Sequence, residues 1–193
     1  MYLIVDCETS GLPTNWRAPV SDVANWPRAI QVAWALFDAQ KARLLASARI
    51  VRPEGFTIPA DAVRVHGITT ERARAEGRPI SDVLGDLTAA AASAQVFVAH
   101  NASFDASVIG AEYLRLGLKP PFGAETMICT MRQSADYLRI PGPYGYKWPT
   151  LDELHRALFG TGFSGAHDAA ADVEACADCF FELVKRGVIR VGA

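Results

Sequence analysis

The stretch Tyr2-Leu-Ile-Val-Asp-Cys-Glu8 joins a short apolar run to two acidic residues. A continuously apolar run of this length is typical of a strand that is buried on both faces of a sheet. Because side chains alternate along a strand, Asp6 and Glu8 share one face while Cys7 points to the other. The two carboxylates repel each other, and a bound cation would compensate them. A solvated strand end explains the pair equally well.

A second acid follows another apolar run, Gln95-Val-Phe-Val-Ala99, in the segment His100-Asn-Ala-Ser-Phe-Asp105. The run predicts a strand, and Asn101 is expected to cap the helix after it. Asp105 then falls in the first helical turn, where the helix dipole favours an acid. Taken alone, an ordinary strand-to-helix junction is the preferred explanation. His100 is interpreted as a structural neighbour of any site here.

The third acidic segment is His167-Asp-Ala-Ala-Ala-Asp172, at the predicted start of the last helix. On a continuous helix, His167 and Asp172 would lie about 140° apart. They share a site only if His167 comes from the glycine-containing approach at 160–165. That arrangement suits a base that approaches a substrate beside a fixed ligand, whereas the alternative is a surface histidine before a helix. Asp168 is interpreted as a cap or a solvated neighbour.

The remaining pattern gives the order of strands and helices. After a proline-containing loop at 10–27, two strands at 29–37 and 42–51, joined by a turn, form a meander with the first strand. The later elements are short helices at 60–65 and 70–76, a helix at 81–92 capped by Ser81, the strand at 95–99, a helix ending at Gly117, a strand at 124–129, a loop at 139–149, and helices at 151–159 and 169–185. This order indicates an α/β protein with a mixed sheet covered by helices, in one domain over residues 1–193.

The composition is that of a globular protein, with 50% hydrophobic and 21% charged residues. No apolar run approaches the roughly 20 residues needed to cross a bilayer, and no secretion signal precedes the first strand. A cytoplasmic protein without membrane contact is therefore expected, with Cys176 and Cys179 as core residues. The net charge of −2 is not the basic footprint usual for nucleic-acid-binding domains, although bound divalent cations would offset clustered acids.

In this order, the three acidic segments together resemble the DEDDh branch of the proofreading-exonuclease superfamily, named after four acids and a histidine. The matching segments are Asp6-x-Glu8-Thr9-x-Gly11, Asn101-x-x-Phe104-Asp105 and His167-x-Ala169-x-x-Asp172, with further likeness at 66–69 and 151–160. The resemblance covers nearly the whole chain and fills all five catalytic positions. The chain departs from the family in its long loop at 13–27 and in Asp168, where many relatives carry arginine. The implied fold is ribonuclease H-like, with a mixed five-stranded sheet flanked by helices.

The resemblance implies a 3′→5′ exonuclease that uses two divalent cations, Mg²⁺ or Mn²⁺. Asp6, Glu8, Asp105 and Asp172 would bind the cations, with Asp6 bridging them, and His167 would take the proton from the attacking water. The residues implied in binding the terminal nucleotide are Thr9, Gly11, Leu12, His66, Ile68, Asn101 and Phe104. Two of them have simpler explanations, because Phe104 can belong to the core and His66 can cap a turn.

The implied substrate is the 3′ end of DNA, at a single strand or a frayed end, with release of nucleoside 5′-monophosphates. RNA stays open as an alternative substrate, because sequence does not display contacts to the 2′-hydroxyl. A polymerase partner also stays open, although the chain stops soon after its last helix, which favours a freestanding enzyme. A nucleic-acid-binding module without activity is less consistent with a full set of acids. The oligomeric state is not indicated.

The segment 132–149 mixes cationic with aromatic side chains, a combination suited to single-stranded nucleic acid. These side chains are Arg132, Tyr137, Arg139, Tyr144, Tyr146, Lys147 and Trp148. A surface loop rich in proline and glycine and anchored by Trp148 explains the same pattern and is preferred.

Overall fold

A computed structural model describes residues 1–123 and 126–191, in which five strands form one mixed sheet. The strands are β1 (Tyr2–Thr9), β2 (Ala29–Phe37), β3 (Arg43–Ile50), β4 (Val96–Ala99) and β5 (Met127–Cys129). Their order across the sheet is β3-β2-β1-β4-β5. β1 pairs antiparallel with β2 and parallel with β4, while β3 and β5 extend the antiparallel and parallel halves. The predicted mixture of an antiparallel meander and parallel strands is confirmed.

Seven described helices surround the sheet. They are α1 (Ala60–His66), α2 (Thr70–Glu76), α3 (Ile80–Ala91), α4 (Ala102–Arg115), α5 (Thr130–Leu138), α6 (Leu151–Phe159) and α7 (Ala169–Lys185). A small separate hairpin, β6 (Pro141–Gly142) with β7 (Gly145–Tyr146), lies between α5 and α6. No described helix combines the length and the hydropathy that crossing a membrane requires.

Side chains of β1, the central strand, alternate between two apolar cores. Leu3, Val5 and Cys7 belong to the core formed with α3 and α4, whereas Ile4 belongs to the core formed with α6 and α7. Every residue of β2 is buried, because this strand also lies between the two helical layers. Burying a large aliphatic side chain stabilises the fold by about 1.5–3 kcal/mol. The two cores therefore fix the position of β1 from both sides.

Most predicted boundaries agree with the structure, including those of β2, α2, α6 and α7. The helix predicted to start at Ser81 begins at Ile80, and Pro79, with an extended backbone, takes the cap position. Proline suits this position because it has no backbone N–H to satisfy. The strand predicted at 124–129 is confirmed for Met127–Cys129, and residues 124 and 125 lie outside the described part.

The segment 130–149 differs most from the sequence prediction. α5 was not predicted, because its buried face consists of Thr130, Met131, Ser134 and Ala135 and so lacks an apolar periodicity. The stretch predicted as a loop contains the β6–β7 hairpin, in which the backbone N–H of Lys147 also donates to the carbonyl of Ile140 at 2.9 Å.

The first and last residues of the long loop between β1 and β2, residues 10–28, are hydrogen-bonded to each other. The backbone N–H of Ser10 donates to the carbonyl of Arg28 at 2.9 Å, and the N–H of Arg28 donates to Ser10 Oγ at 3.0 Å. Arg115 of α4 donates to the carbonyls of Val23 and Trp26 at 2.6 and 2.7 Å. The loop is therefore bound to α4 along its length as well as closed at its base.

Glu112 of α4 is the buried anion of this junction, with 1% of its surface exposed. Its Oε1 accepts from Arg28 Nε at 2.8 Å and from the backbone N–H of Ala29 at 3.0 Å. Arg115 Nη1 lies 3.0 Å from the same oxygen. A buried carboxylate is stable only with such partners, and the partners in turn depend on it.

We expect Glu112→Ala to lower the free energy of unfolding by about 3 kcal/mol, because it leaves the cations and the Ala29 N–H without their shared acceptor. Urea denaturation followed by circular dichroism measures this change. Glu174→Ala is the matched control, since Glu174 pairs with Arg43 at the surface, and its loss is expected to stay within about 1 kcal/mol. Equal effects of the two substitutions would contradict the structural role of Glu112.

Candidate active site

The end of β1 carries two carboxylates on the side of the sheet that faces α7. Glu8 is buried and lies opposite Gln31 of β2, after which the pairing register shifts between Glu8 and Thr9. Gln31 is also buried, and its Oε1 accepts from the backbone N–H of Ala169 at 3.0 Å. This bond fixes the first residue of α7 to the sheet, so that α7 starts beside the acids of β1.

The third acid, Asp105, comes from the first turn of α4 and is 4% exposed. Its Oδ1 accepts from Cys7 twice, from the backbone N–H at 3.1 Å and from Sγ at 3.3 Å. Asn101 does precede α4, but the prediction that its side chain caps the helix is wrong. Its φ is 72°, its side chain makes no capping hydrogen bond, and its carbonyl accepts from the N–H of Phe104 at 2.8 Å. Asparagine tolerates this left-handed conformation better than most residues do.

His100 is a structural neighbour of the acids. Its Nδ1 lies 3.0 Å from Thr130 Oγ1 and its Nε2 lies 3.0 Å from the carbonyl oxygen of Pro149. Burial lowers the pKa of His100 to about 4, so the ring is neutral at physiological pH. The ring thus joins the end of β4 to α5 and to the segment that follows β7.

The fourth acid, Asp172, and the histidine come from the start of α7 and the segment before it. Asp168 caps the helix by accepting from the N–H of Ala170 at 2.9 Å, so His167 lies before the helix and not on it. With φ at 68°, the His167 backbone turns back and its N–H donates to Asp172 Oδ2 at 3.1 Å. Ligand atoms of Glu8, His167 and Asp172 lie within 4.8 Å of one another. The approach segment therefore brings His167 and Asp172 together, as a continuous helix would not.

Burial raises the pKa of all four carboxyl groups. For Asp6 the removal of water is the largest cause, followed by repulsion from Asp105, Asp172 and Glu8. Burial is also the main cause that raises the pKa of Glu8 and of Asp105 to about 7, in Asp105 despite the donors of Cys7. The pKa of Asp172 is raised by burial and lowered in part by the N–H of His167. Carboxyl groups in this state repel one another once they ionise.

Such a cluster fits divalent cations by its chemistry. Its donors are carboxylate oxygens, which Mg²⁺ and Mn²⁺ prefer, and a positive charge would relieve the repulsion that raises these pKa values. A ring nitrogen of His167 lies within 4.8 Å of ligand atoms of Glu8 and Asp172, and the chemistry of imidazole suits either of two roles, as a ligand or as a proton acceptor.

The segment after Glu8 borders the cluster. Thr9 Oγ1 donates to the carbonyl of Gly11 at 2.7 Å, and Gly11 has a φ of 153°, which favours glycine. Leu12, the next residue, is 73% exposed. Phe104 is only partly buried, and its ring centroid lies 5.6 Å from that of Trp16, which is 56% exposed. Apolar side chains therefore remain accessible on both segments that carry the acids.

His66 interacts with the backbone of Thr9 and with His167, whereas Ile68 is buried. His66 Nδ1 accepts from the N–H of Ile68 at 3.0 Å, so the histidine does cap a turn. Burial lowers the pKa of His66, with a contribution from the charge of His167, while the backbone of Thr9 opposes this shift. Ile68 is buried in the apolar cluster beneath α1 and α2.

Two residues that position the acids were not singled out from the sequence. Gln31 had a visible signal, because it is the one polar residue in the strand AIQVAWALF. Cys7 had none, because a small core residue explains a cysteine at this position equally well. Its hydrogen bonds to Asp105 depend on the packing of α4 against β1.

Comparison with known proteins gives one family and one fold. The RNase_T family model, described as exonuclease, matches residues 3–180. No curated protein matches the sequence.

Among solved structures, E. coli Exonuclease I in complex with a dT13 oligonucleotide superposes with a TM-score of 0.74 at 20% identity, over 96% of this chain and 41% of that chain. A zinc-bound E. coli ExoI–ssDNA complex gives a TM-score of 0.76 at 20% identity, over 96% and 40%. The chain thus spans about two-fifths of these proteins, and the likeness is one of fold.

We expect the metal-free protein to lose stability as the pH rises from 5 to 8. The folded state keeps protons on Glu8 and Asp105 up to about pH 7, whereas the unfolded state releases them near pH 4, so raising the pH favours unfolding. The expected loss is roughly 3 kcal/mol in EDTA, measured by urea denaturation at each pH.

Asp105→Asn should flatten this pH dependence and be more stable than the wild type at pH 8, since the amide keeps the acceptor for Cys7 without the charge. Asp22→Asn, at an exposed acid, is the control and should follow the wild-type curve. A stability that rises from pH 5 to pH 8 in EDTA would show that the acids are not buried together.

Proposed function

The chain belongs to the exonuclease family, and from that premise we propose that it removes nucleotides from the 3′ end of single-stranded or frayed DNA, releasing nucleoside 5′-monophosphates. One observation carries the proposal. Ligand atoms of Glu8, His167 and Asp172 lie within 4.8 Å of one another, and the buried carboxyl groups of Asp6 and Asp105 lie close enough to repel them. A fold that needed only stability would not bury mutually repelling acids there.

In this proposal, Asp6, Glu8, Asp105 and Asp172 would hold two divalent cations, Mg²⁺ or Mn²⁺. When bound, the cations stabilise the charge that develops on the attacking and leaving oxygens of the phosphodiester. The chain keeps the ligands in place before any cation binds, through the Cys7 bonds to Asp105 and the His167 bond to Asp172. Preorganisation of this kind lowers the cost of arranging the site during the reaction.

His167 is the general base in this proposal and takes a proton from the attacking water. Its position before α7 and beyond the Asp168 cap leaves the ring accessible, and the backbone bond to Asp172 keeps it beside the acids. An imidazole ring that is neutral has one nitrogen that can accept a proton. A base of this type contributes about 10²- to 10⁴-fold to the rate.

The terminal nucleotide binds, in this proposal, between the segment after β1 and the start of α4. Leu12 and Phe104 provide apolar contacts for its base and sugar. Thr9, Gly11, His66 and Asn101 surround the same space with polar groups. Ile68 completes the proposed set; it is buried, and its N–H donates to His66 Nδ1 at 3.0 Å.

DNA is the proposed substrate because the superposed E. coli Exonuclease I structures include complexes with dT13 and dA16 oligonucleotides. RNA remains the second candidate, because it requires the same chemistry at the phosphodiester. The two are separated by contacts to the 2′-hydroxyl, which only the assay below distinguishes.

The first test is cleavage of 5′-labelled single-stranded DNA and of matching RNA in Mg²⁺, Mn²⁺ or EDTA. We expect a ladder that shortens from the 3′ end, depends on metal and is stronger with DNA. Asp105→Asn should lower the rate by more than about 10³-fold, because it removes one charged ligand while keeping the hydrogen bonds of Cys7. If the substrate stays intact in every metal, the chain is a binding module without activity. If a ladder forms on RNA alone, RNA and not DNA is the substrate.

A second prediction concerns the base. His167→Gln should lower kcat by about 10²- to 10⁴-fold with little change in KM, because the residue acts on water and not on the nucleotide. His155→Gln is the control, since His155 lies on α6 and bonds the carbonyl of Thr161. A kcat for His167→Gln close to that of the wild type would assign the base elsewhere.

A further inference from the structure

Between α5 and α6, the segment that contains the β6–β7 hairpin exposes an unusual number of aromatic rings. Trp148 is 57% exposed, and Tyr144 and Tyr146 are also exposed. Single exposed apolar side chains are normal on a protein surface, but several within a few residues indicate an interaction surface. The exonuclease chemistry proposed above uses none of them.

One of these rings lies against a cation of α5. The guanidinium of Arg132, from α5, lies over the Trp148 ring, 5.3 Å from its centroid. The backbone N–H of Lys147 donates to the carbonyl of Ile140, and Lys147 Nζ lies 2.5 Å from Glu153 Oε1 of α6, so the residue before Trp148 is attached both to the hairpin segment and to α6. We call Arg132 and Trp148 the hairpin platform.

The hairpin platform is connected to the acidic cluster by short contacts. The carbonyl oxygen of Pro149, the residue after Trp148, lies 3.0 Å from His100 Nε2. Nδ1 of the same ring lies 3.0 Å from Thr130 Oγ1 at the start of α5. A cavity of about 310 Å³ opens between Arg132 and the first turn of α4, lined by Ala102, Ser103, Met127, Cys129, Arg132 and Gln133. Asp105 belongs to the same turn, so this cavity lies between Arg132 of the platform and the part of α4 that carries one of the acids.

The charges around the hairpin platform determine which class of ligand it can bind. Four clustered acids repel a phosphate backbone, and the chain as a whole has a net charge of −2. Among the residues at 1–123 and 126–191, no carboxylate lies within ion-pair distance of Arg132, whose guanidinium lies over the Trp148 ring. Stacked on Trp148, its guanidinium keeps a fixed position, which favours a planar, anionic partner.

The geometry points to the hairpin platform as a binding surface for single-stranded nucleic acid several nucleotides upstream of the 3′ end, with a base stacked on Trp148 and a phosphate bound by Arg132. This inference rests on the proposed exonuclease function and adds to it the residues that hold the strand away from the reacting bond. Stacking needs unpaired bases, so the platform favours single strands over duplexes.

The test is the affinity for a 5′-fluorescein-labelled oligothymidylate of twelve nucleotides, measured by fluorescence anisotropy in the Asp105→Asn background so that the strand is not consumed. Trp148→Ala should weaken binding about tenfold, whereas Trp148→Phe, which keeps a ring, should restore most of it. Arg132→Gln should weaken binding and also lower the salt dependence of log K by about 0.7, as expected for one lost phosphate contact. Trp148→Ala should leave that salt dependence unchanged.

Arg74→Gln is the matched control for charge, because Arg74 is an exposed cation on α2, away from the hairpin. Hydrolysis of thymidine 5′-monophosphate p-nitrophenyl ester by otherwise wild-type protein tests the reaction centre with a single nucleotide. Trp148→Ala and Arg132→Gln should hydrolyse it as the wild type does.

Unchanged oligonucleotide affinity in both platform variants, or an equal loss on the single-nucleotide ester, would overturn the inference and leave the exonuclease function in place. A wild-type protein that neither cleaves the ester nor shortens DNA would instead remove the proposed function itself.

Discussion

Hydrogen bonding of β1 on both sides, to antiparallel β2 and to parallel β4, is the constraint on which the candidate site depends. A central strand cannot shift its register without moving every side chain to the other core. Asp6 and Glu8 are therefore kept at the sheet edge even though their charges repel those of Asp105 and Asp172. The apolar packing of Leu3, Ile4 and Val5 supplies the free energy that offsets this repulsion.

The helices α4 and α7 add the remaining acids, and each is attached to the sheet by a specific polar bond. Cys7 donates to Asp105, and Gln31 accepts from the first N–H of α7. Both bonds originate in the two neighbouring strands β1 and β2, so the distances among the acids are set by one part of the sheet. The non-glycine residues Asn101 and His167, with positive φ, occur where the chain turns toward this cluster, as is common near functional sites.

Features of the fold and the site that depend on neighbouring residues could be predicted from the sequence, whereas those that depend on contacts between distant residues could not. The meander, α6, α7 and the exposed position of His167 follow from local patterns, since apolar periodicity and helix starts are written in neighbouring residues. α5 escaped prediction because its buried face is made of Thr130, Ser134 and small residues whose burial depends on α6 and α7. The side chain of Asn101 was misassigned because its left-handed backbone turns it away from the helix end. Cys7 was missed because its partner is 98 residues away.

Two hydrogen bonds between Ser10 and Arg28 close the loop between β1 and β2 at its base. Because of this closure, the length of the loop does not affect the geometry of the sheet. Lengthening a closed loop costs little free energy, because the entropy of closure grows slowly with length. Insertions between Ser10 and Arg28 can thus accumulate without displacing Glu8, two residues before the closure. The exposed Trp16 of this loop packs against Phe104, the residue before Asp105. Related proteins can therefore differ in this loop, and so in the nucleic-acid ends that they bind, while they inherit the same chemistry.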